Sequence, residues 1–326
     1  MLHPVTTLPF RGKAIFLCLL TLAFYGCRKE KIDQEIQTNT WRSEYSSHWD
    51  AYTTVASNNK IAYYVGNSIY THTSEGFTKI AEYPQQNIVD KFAVVAENGD
   101  LITGGGYRQG EAYVSWAFYR YDKHGNLKAT ESIPDVYFGA PYPGKIHTVA
   151  DHLLTVVNER QLGTNTTVYQ KYIYACDLAF KVLFKVKIDN SVDLARTFKV
   201  DEKIYLLFSD GKVNELKNNQ LQDAPGVDLQ LDHPADNGIP AMTSLDSRLV
   251  YGWAPRVSDG QYVPENKLMV TDLKTTATIT DGPAVCEPQL YYLDDVLYLV
   301  GGYTGKVDQK VYNQTLYSIR LTAQQP

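Results

Sequence analysis

Apolar and polar positions along this chain fall into a unit that recurs six times: an apolar run, a short polar turn, then a second apolar or aromatic run. The turns are Asn58-Asn59, Asn98-Gly99, Asp151-His152, Asp201-Glu202, Asp246-Ser247 and Asp294-Asp295. Each leads into a β-rich stretch, respectively Ile61–Val65, Leu101–Gly104, Leu153–Val157, Ile204–Phe208, Leu249–Trp253 and Val296–Val300. Two polar turn-forming residues between apolar runs predict a β-hairpin, because Asn, Asp and Gly tolerate the left-handed backbone that such turns need. A third strand is predicted in every unit, over Ser68–Thr71, Ser115–Tyr121, Lys171–Cys176, Lys212–Leu216, Lys267–Thr271 and Thr315–Leu321. A fourth follows in five of them, over Phe77–Glu82, Leu127–Ile133, Val182–Ile188, Gln220–Gln222 and Thr276–Thr280.

Spacing between the turns is about 40 to 53 residues, the length of a four-stranded propeller blade. The pattern therefore predicts an all-β fold, a six-bladed β-propeller of four-stranded antiparallel blades. The sixth unit ends one strand short, which would leave a bare edge. The segment Thr38–Tyr45 has strand composition and no partner of its own, so it is expected to supply that outer strand and close the ring. A pair of β-sandwiches would not place the six turns at one position in each unit.

Composition agrees with strands. The 25 tyrosines outnumber the 11 phenylalanines and 4 tryptophans, and aromatic residues suit pleated, half-buried surfaces. The net charge of -5 comes with no basic block, which argues against nucleic acid as a partner. Of four cysteines, Cys18 and Cys27 lie near the N-terminus, while Cys176 and Cys286 fall in units on different parts of the ring. Those two are expected as free buried thiols.

Arg11 and Lys13 precede an apolar run, Ala14–Tyr25, that ends in Gly26-Cys27. A basic start and a short apolar run read as a signal peptide rather than a membrane span. Leu22-Ala23-Phe24-Tyr25-Gly26-Cys27 resembles a bacterial lipoprotein signal, in which a small residue precedes the lipidated cysteine, and the charged stretch after it resembles Bacteroidota-type envelope lipoproteins. The resemblance implies a signal peptide over 1–26 and lipid on Cys27, while the charged, aperiodic composition reads as a flexible tether over 27–37 and the repeats predict a propeller domain over 38–326. The resemblance also implies a cell-envelope location, at the outer membrane, with the membrane as a partner through the lipid.

Gly104-Gly105-Gly106-Tyr107 and Gly301-Gly302-Tyr303 end the second strand of two units, and Tyr119-Arg120-Tyr121-Asp122 lies on a third strand. Paired glycines before an aromatic residue, then Tyr-Asp, resemble the kelch repeat, although the tryptophan usual on its fourth strand is absent. The resemblance implies propeller geometry, while function has to be argued from a site.

In such a ring the hairpin turns share one face, and the connections between second and third strands share the other. The turns are short and polar. The opposite connections are long: Tyr107–Val114, Asn158–Gln170, Ala254–Glu265 and Tyr303–Asn313, joined by the links Pro134–Pro143, Asp232–Gly238 and Gly282–Pro288. Loops longer than a fold requires are where binding residues concentrate. The candidate binding face there comprises Tyr107, Arg108, Tyr137, Tyr142, Arg160, Trp253, Arg256, Tyr262 and Tyr303. Aromatic surfaces with arginine forks suit a protein or glycan partner.

Catalytic chemistry is thin. Asp201-Glu202 and Asp294-Asp295 sit where a hairpin wants Asp, so they read as turn residues. Ser209-Asp210-Gly211 and Ser258-Asp259-Gly260 read as ordinary turns, and the seven scattered histidines have no metal-site spacing. No cofactor or metal is expected. The reading is a non-enzymatic envelope lipoprotein whose loop face binds a protein or glycan. The alternative is a carbohydrate-active kelch-like enzyme, an epimerase or lyase with an axial site.

Overall fold

A computed structural model describes residues 41–45, 53–84, 88–109, 113–133, 146–160, 169–179, 181–227, 229, 231 and 240–321. The expected signal peptide and the tether, Cys27 included, lie outside these residues. The described residues form strands and turns only.

The strands fall into four-stranded antiparallel sheets. After β1 (Arg42–Tyr45), the first sheet contains β2 (Thr54–Ser57), β3 (Ala62–Val65), β4 (Ser68–Thr73) and β5 (Gly76–Glu82). The second contains β6 (Ile88–Val95), β7 (Leu101–Gln109), β8 (Tyr113–Tyr121) and β9 (Leu127–Ile133). The third is β10 (His147–Val149), β11 (His152–Arg160), β12 (Tyr169–Asp177) and β13 (Val182–Lys187). The fourth is β14 (Leu194–Val200), β15 (Lys203–Phe208), β16 (Val213–Lys217) and β17 (Gln220–Asp223). Within the fifth, β18 (Ala241–Leu245) and β19 (Arg248–Gly252) are followed by an inserted hairpin, β20 (Arg256–Ser258) and β21 (Gln261–Val263). The sheet then resumes with β22 (Leu268–Thr271) and β23 (Thr276–Ile279). The sixth begins with β24 (Gln289–Leu293) and β25 (Val296–Val300), is interrupted by a hairpin of β26 (Tyr303–Lys306) and β27 (Gln309–Tyr312), and resumes with β28 (Thr315–Arg320). Its fourth strand is β1, which pairs with β28 from Arg42↔Ser318 to Tyr45↔Thr315.

These six sheets form a propeller. Each apolar cluster lies between two consecutive sheets. Tyr63, Val65 and Ile69 meet Leu101, Ala117 and Tyr119 between the first and second. Phe92 and Phe118 meet Leu153 and Val157 between the second and third. Ile173 and Ala175 meet Leu206 and Phe208, and Phe198 and Leu207 meet Leu249 and Tyr251, at the next two seams. Val250 and Leu268 meet Leu297 and Leu299 between the fifth and sixth. Ala62 and Tyr64 meet Tyr291 and Val300, returning the sixth sheet to the first.

A sheet covered on both faces needs apolar residues on both, which is why second strands such as β3 are buried at every position and read as continuous apolar runs. Outer strands such as β17 are polar because one of their edges is solvated. Two glycine positions have a steric cause. A Cβ on Gly104 would lie 2.3 Å from the Ala117 carbonyl oxygen, and one on Gly302 would lie 2.7 Å from that of Cys286, with the backbone there at φ +81°.

The turn face differs from expectation at three of six places. The two-residue turns at Asp201-Glu202, Asp246-Ser247 and Asp294-Asp295 form as read, with φ of 53° at Asp201, 52° at Asp246, 49° at Asp294 and 60° at Asp295. The third turn is one residue earlier, Ala150-Asp151, because Val149 pairs with His152. The first two are longer, spanning 58–61 and 96–100. In the first, the Asn58 side-chain oxygen accepts from the Lys60 and Ile61 amides, each at 3.2 Å, and this local turn replaces the tighter one. Asn59 is then free to dock on the sixth sheet: its carbonyl accepts from Asp294 N at 2.8 Å, and its side chain bonds the Asp295 amide and carboxylate at 3.0 and 2.8 Å.

Candidate functional site

On the opposite face the expected long loops are mostly strand. β7 and β8 continue to Gln109 and from Tyr113, and β11 and β12 likewise extend over Asn158–Arg160 and Tyr169–Gln170. The two remaining segments, Ala254–Glu265 and Tyr303–Asn313, fold into hairpins that join into an additional sheet ordered β20-β21-β26-β27. Asp259-Gly260 makes the first turn, with φ of 51° and 71°, and this Asp-Gly pair closes a hairpin where the sequence pattern predicts an ordinary turn. The hairpins meet where Gln261 pairs with Lys306, and the Val307 amide donates to the Gly260 carbonyl at 3.1 Å. The base is held by Asn313, whose side-chain nitrogen bonds the Gly301 and Thr315 carbonyls at 2.9 and 3.0 Å.

Register decides which side chains share a face, since residues directly opposite point the same way. Val257 pairs with Tyr262, Tyr303 with Tyr312, and Gly305 with Lys310, so these residues form one face. Arg256, Val263, Gln261, Lys306, Thr304 and Val311 form the other. On the tyrosine face, Tyr262 meets Tyr303 edge to face with centroids 4.6 Å apart, and Tyr312 lies 6.3 Å from Tyr303. The Lys310 ammonium sits 3.9 Å from the Tyr303 ring centre and 5.3 Å from that of Tyr262. Burial raises the Tyr303 pKa, and the Glu287 carboxylate and Tyr262 hydroxyl beside it raise it further.

Glu287 also connects this sheet to the inner strands. It belongs to the link before β24, and its charge partly offsets the burial that lowers the pKa of Arg196 on β14. Arg196 Nε donates to the Pro240 carbonyl at 3.1 Å and Nη1 to its neighbour Ala195 at 2.9 Å. Cys286 is a free buried thiol pushed up to about 11 by burial, and Cys176 behaves in the same way.

Among the sequence candidates, Arg256, Tyr262 and Tyr303 come together in the additional sheet. Trp253 does not share its surface, and the expectation that it faces a partner is corrected. It is fully buried, its indole N–H donates to the Pro283 carbonyl at 2.8 Å, and its ring meets Trp41 edge to face at 5.9 Å. Burying so large a ring under the hairpin base stabilises more than leaving it in water. Tyr107 and Arg108 lie on β7 opposite Ser115 and Val114, and Arg160 ends β11 opposite Tyr169. Tyr137 and Tyr142 lie outside the described residues. Lys310, Tyr312, Glu287 and Arg196 were not singled out from sequence, because isolated charged and aromatic residues carry no signal until register brings them together. Among the described residues, no three His, Cys, Asp or Glu side chains converge as a metal site would require.

No family model matches this chain, and no curated protein does. Solved structures similar to it include BamB from Moraxella catarrhalis, at 9% identity and a TM-score of 0.34, with 82% of this chain and 84% of that one covered. A protein of unknown function from Bacteroides caccae is similar at 12% identity and a TM-score of 0.43, over 85% of this chain and 88% of that one. The acylaminoacyl peptidase of Pyrococcus horikoshii is similar at 11% identity and a TM-score of 0.42, over 83% of this chain and 44% of that one.

Proposed function

We propose that the protein is a non-enzymatic lipoprotein of the cell envelope, anchored through Cys27, whose face opposite the hairpin turns holds a partner. The anchor reading rests on the basic start, the apolar run Ala14–Tyr25 and the Gly26-Cys27 pair. The observation that carries the binding reading is the additional sheet. It continues no blade, yet it bears Val257, Val263, Val307, Val311 and Tyr312, each more than a third exposed. Exposed apolar side chains gathered on one element are what an interaction surface presents.

Two experiments test this. Cys27→Ser should move the protein from the membrane to the soluble fraction and abolish incorporation of labelled fatty acid. Unchanged fractionation would remove the anchor. Replacing Arg256–Val263 and Lys306–Tyr312 by short Gly-Asn turns should leave the ring folded and lose the partner captured from membrane extract, and retention of every partner would remove the binding face.

A second reading, a carbohydrate-active enzyme, draws on Glu287, which hydrogen-bonds Tyr303 and acts electrostatically on Arg196. An acid hydrogen-bonded to a phenol is the minimum for proton transfer on a sugar. It predicts turnover of a sugar substrate that Glu287→Gln abolishes.

A further inference from the structure

We infer that the partner of this face is an extended acidic peptide segment that pairs with the edge of β27 as a fifth strand of the additional sheet. The inference rests on the binding reading above and names the chemistry of what binds. Among the described residues β27 pairs with β26 alone, so its second edge is open. All four of its residues are exposed, and Val311, at 63% exposure, is the most exposed large apolar residue described. Because Lys306 pairs with Gln309 across the Val307-Asp308 turn, ladder bonds alternate so that the amides of Gln309 and Val311 face β26. Those of Lys310 and Tyr312 face outward. An unpaired outward row of donors and acceptors is the template that strand addition uses.

Charge selects the occupant. The strands of this sheet hold Arg256, Lys306 and Lys310 and its two turns hold Asp259 and Asp308, so the sheet is positive by one, with its cations on the strands, in a chain whose net charge is -5. Lys310 has no carboxylate within ion-pair distance among the described residues, and its ammonium rests on the Tyr303 and Tyr262 rings with its N–H groups available. Two copies of β27 meeting edge to edge would bring two Lys310 side chains together, which disfavours self-association. A strand that places an acid beside Lys310 and an apolar residue beside Val311 meets both faces favourably. The aliphatic Val311, Val263 and Val307 favour a peptide over a sugar, whose hydroxyls would be left without donors or acceptors there.

The test is a fluorescence-anisotropy titration of the full-length protein in detergent with a labelled ten-residue peptide alternating Glu and Val. Saturable binding is expected, weakened by salt and by about tenfold or more in Lys310→Glu, an exposed change that should leave the melting temperature in place. The matching Lys-Val peptide should not bind, and hydrogen exchange should slow at the Lys310 and Tyr312 amides. Equal binding of the two peptides, no effect of Lys310→Glu, or protection elsewhere overturns the inference. So does displacement of the partner by an anionic oligosaccharide rather than by the Glu-Val peptide. If the hairpin replacement loses a membrane-extract partner while the peptide fails to bind, this inference falls and the binding reading stands.

Discussion

The sixth sheet meets its two neighbours through different chemistry. Toward the fifth sheet the seam is apolar: Val250, Leu268, Leu297 and Leu299 surround Trp253, whose single polar atom is satisfied by Pro283. Toward the first sheet the seam carries a buried polar group of rings. The Tyr291 hydroxyl bonds both the Tyr64 hydroxyl and His72 Nδ1 at 2.8 Å, and His72 stacks on Phe77 at 4.2 Å. Around it, the Gln289 side chain accepts from the Val55 amide at 2.7 Å and donates to the Thr53 carbonyl at 2.8 Å. The fifth and sixth sheets are consecutive in the chain, so a short link limits how they can slip. The sixth is joined to the first by the chain between β1 and β2, while its own β24, β25 and β28 reach the first sheet only through the rest of the ring. Directional bonds specify the register of β24 against the first sheet, because an offset would strand buried donors and acceptors.

That contrast can be broken from either side. The largest effect is expected from deleting residues 38–46, which removes β1 from β28 and Trp41 from Trp253, opening the sixth sheet at its outer edge. A loss on the order of 5 kcal/mol, or about 10 °C in melting temperature, is expected by calorimetry. An unchanged melting curve would refute closure by this strand. Next, Trp253→Ala empties the apolar seam and should cost about 4 kcal/mol in a denaturant titration, independent of pH.

The polar seam should respond to acid. Burial lowers the His72 pKa from 6.5 to about 4, so between those values the unfolded chain binds a proton that the folded ring does not. Stability from this group is therefore complete above pH 6.5 and is lost as pH falls toward 4, by about 3 kcal/mol in all. Among the described residues Asp294 acts on it at a distance, and the rings packed on it are Tyr64, Phe77, Tyr291 and Tyr298. In His72→Phe this slope should flatten between pH 4 and 6.5, and a slope equal to the unmodified protein's would assign the acid response elsewhere. The smallest change is Tyr291→Phe, which leaves Tyr64 and His72 without their shared partner. About 1 to 2 kcal/mol is expected at pH 7, and a cost below that of an exposed Tyr→Phe would mean the seam needs no directional bonds.

Much of the ring was legible because its signals are local. Asp at the second-strand hairpins, apolar runs for doubly covered strands and a missing fourth strand in the last unit all follow from covalent and steric rules within a few residues. The turns at 58–61 and 96–100 exceed the two residues the local pattern predicts because their geometry answers to contacts beyond the turn. Asn59 reaches the sixth sheet, and the Gly99 carbonyl accepts from the Tyr63 hydroxyl at 2.6 Å. The site was less legible. Arg256 and Tyr262 were found through residue type, but Tyr303 is largely buried and Trp253 wholly so. Aromatic composition cannot distinguish a packing ring from a presented one.

By itself, then, the sequence determined an all-β chain of six similar units and the need for an N-terminal strand, since hairpin turns and strand periodicity depend on neighbours along the chain. Only the tertiary structure decided that two insertions, separated by the four strands β22 to β25, pair through Gln261 and Lys306 to make one more sheet. It also decided that Lys310 lies across two tyrosine rings. Contacts between distant segments are set by the ring's geometry, which brings neighbouring blades together at their rims, and no local rule encodes which insertions will meet there.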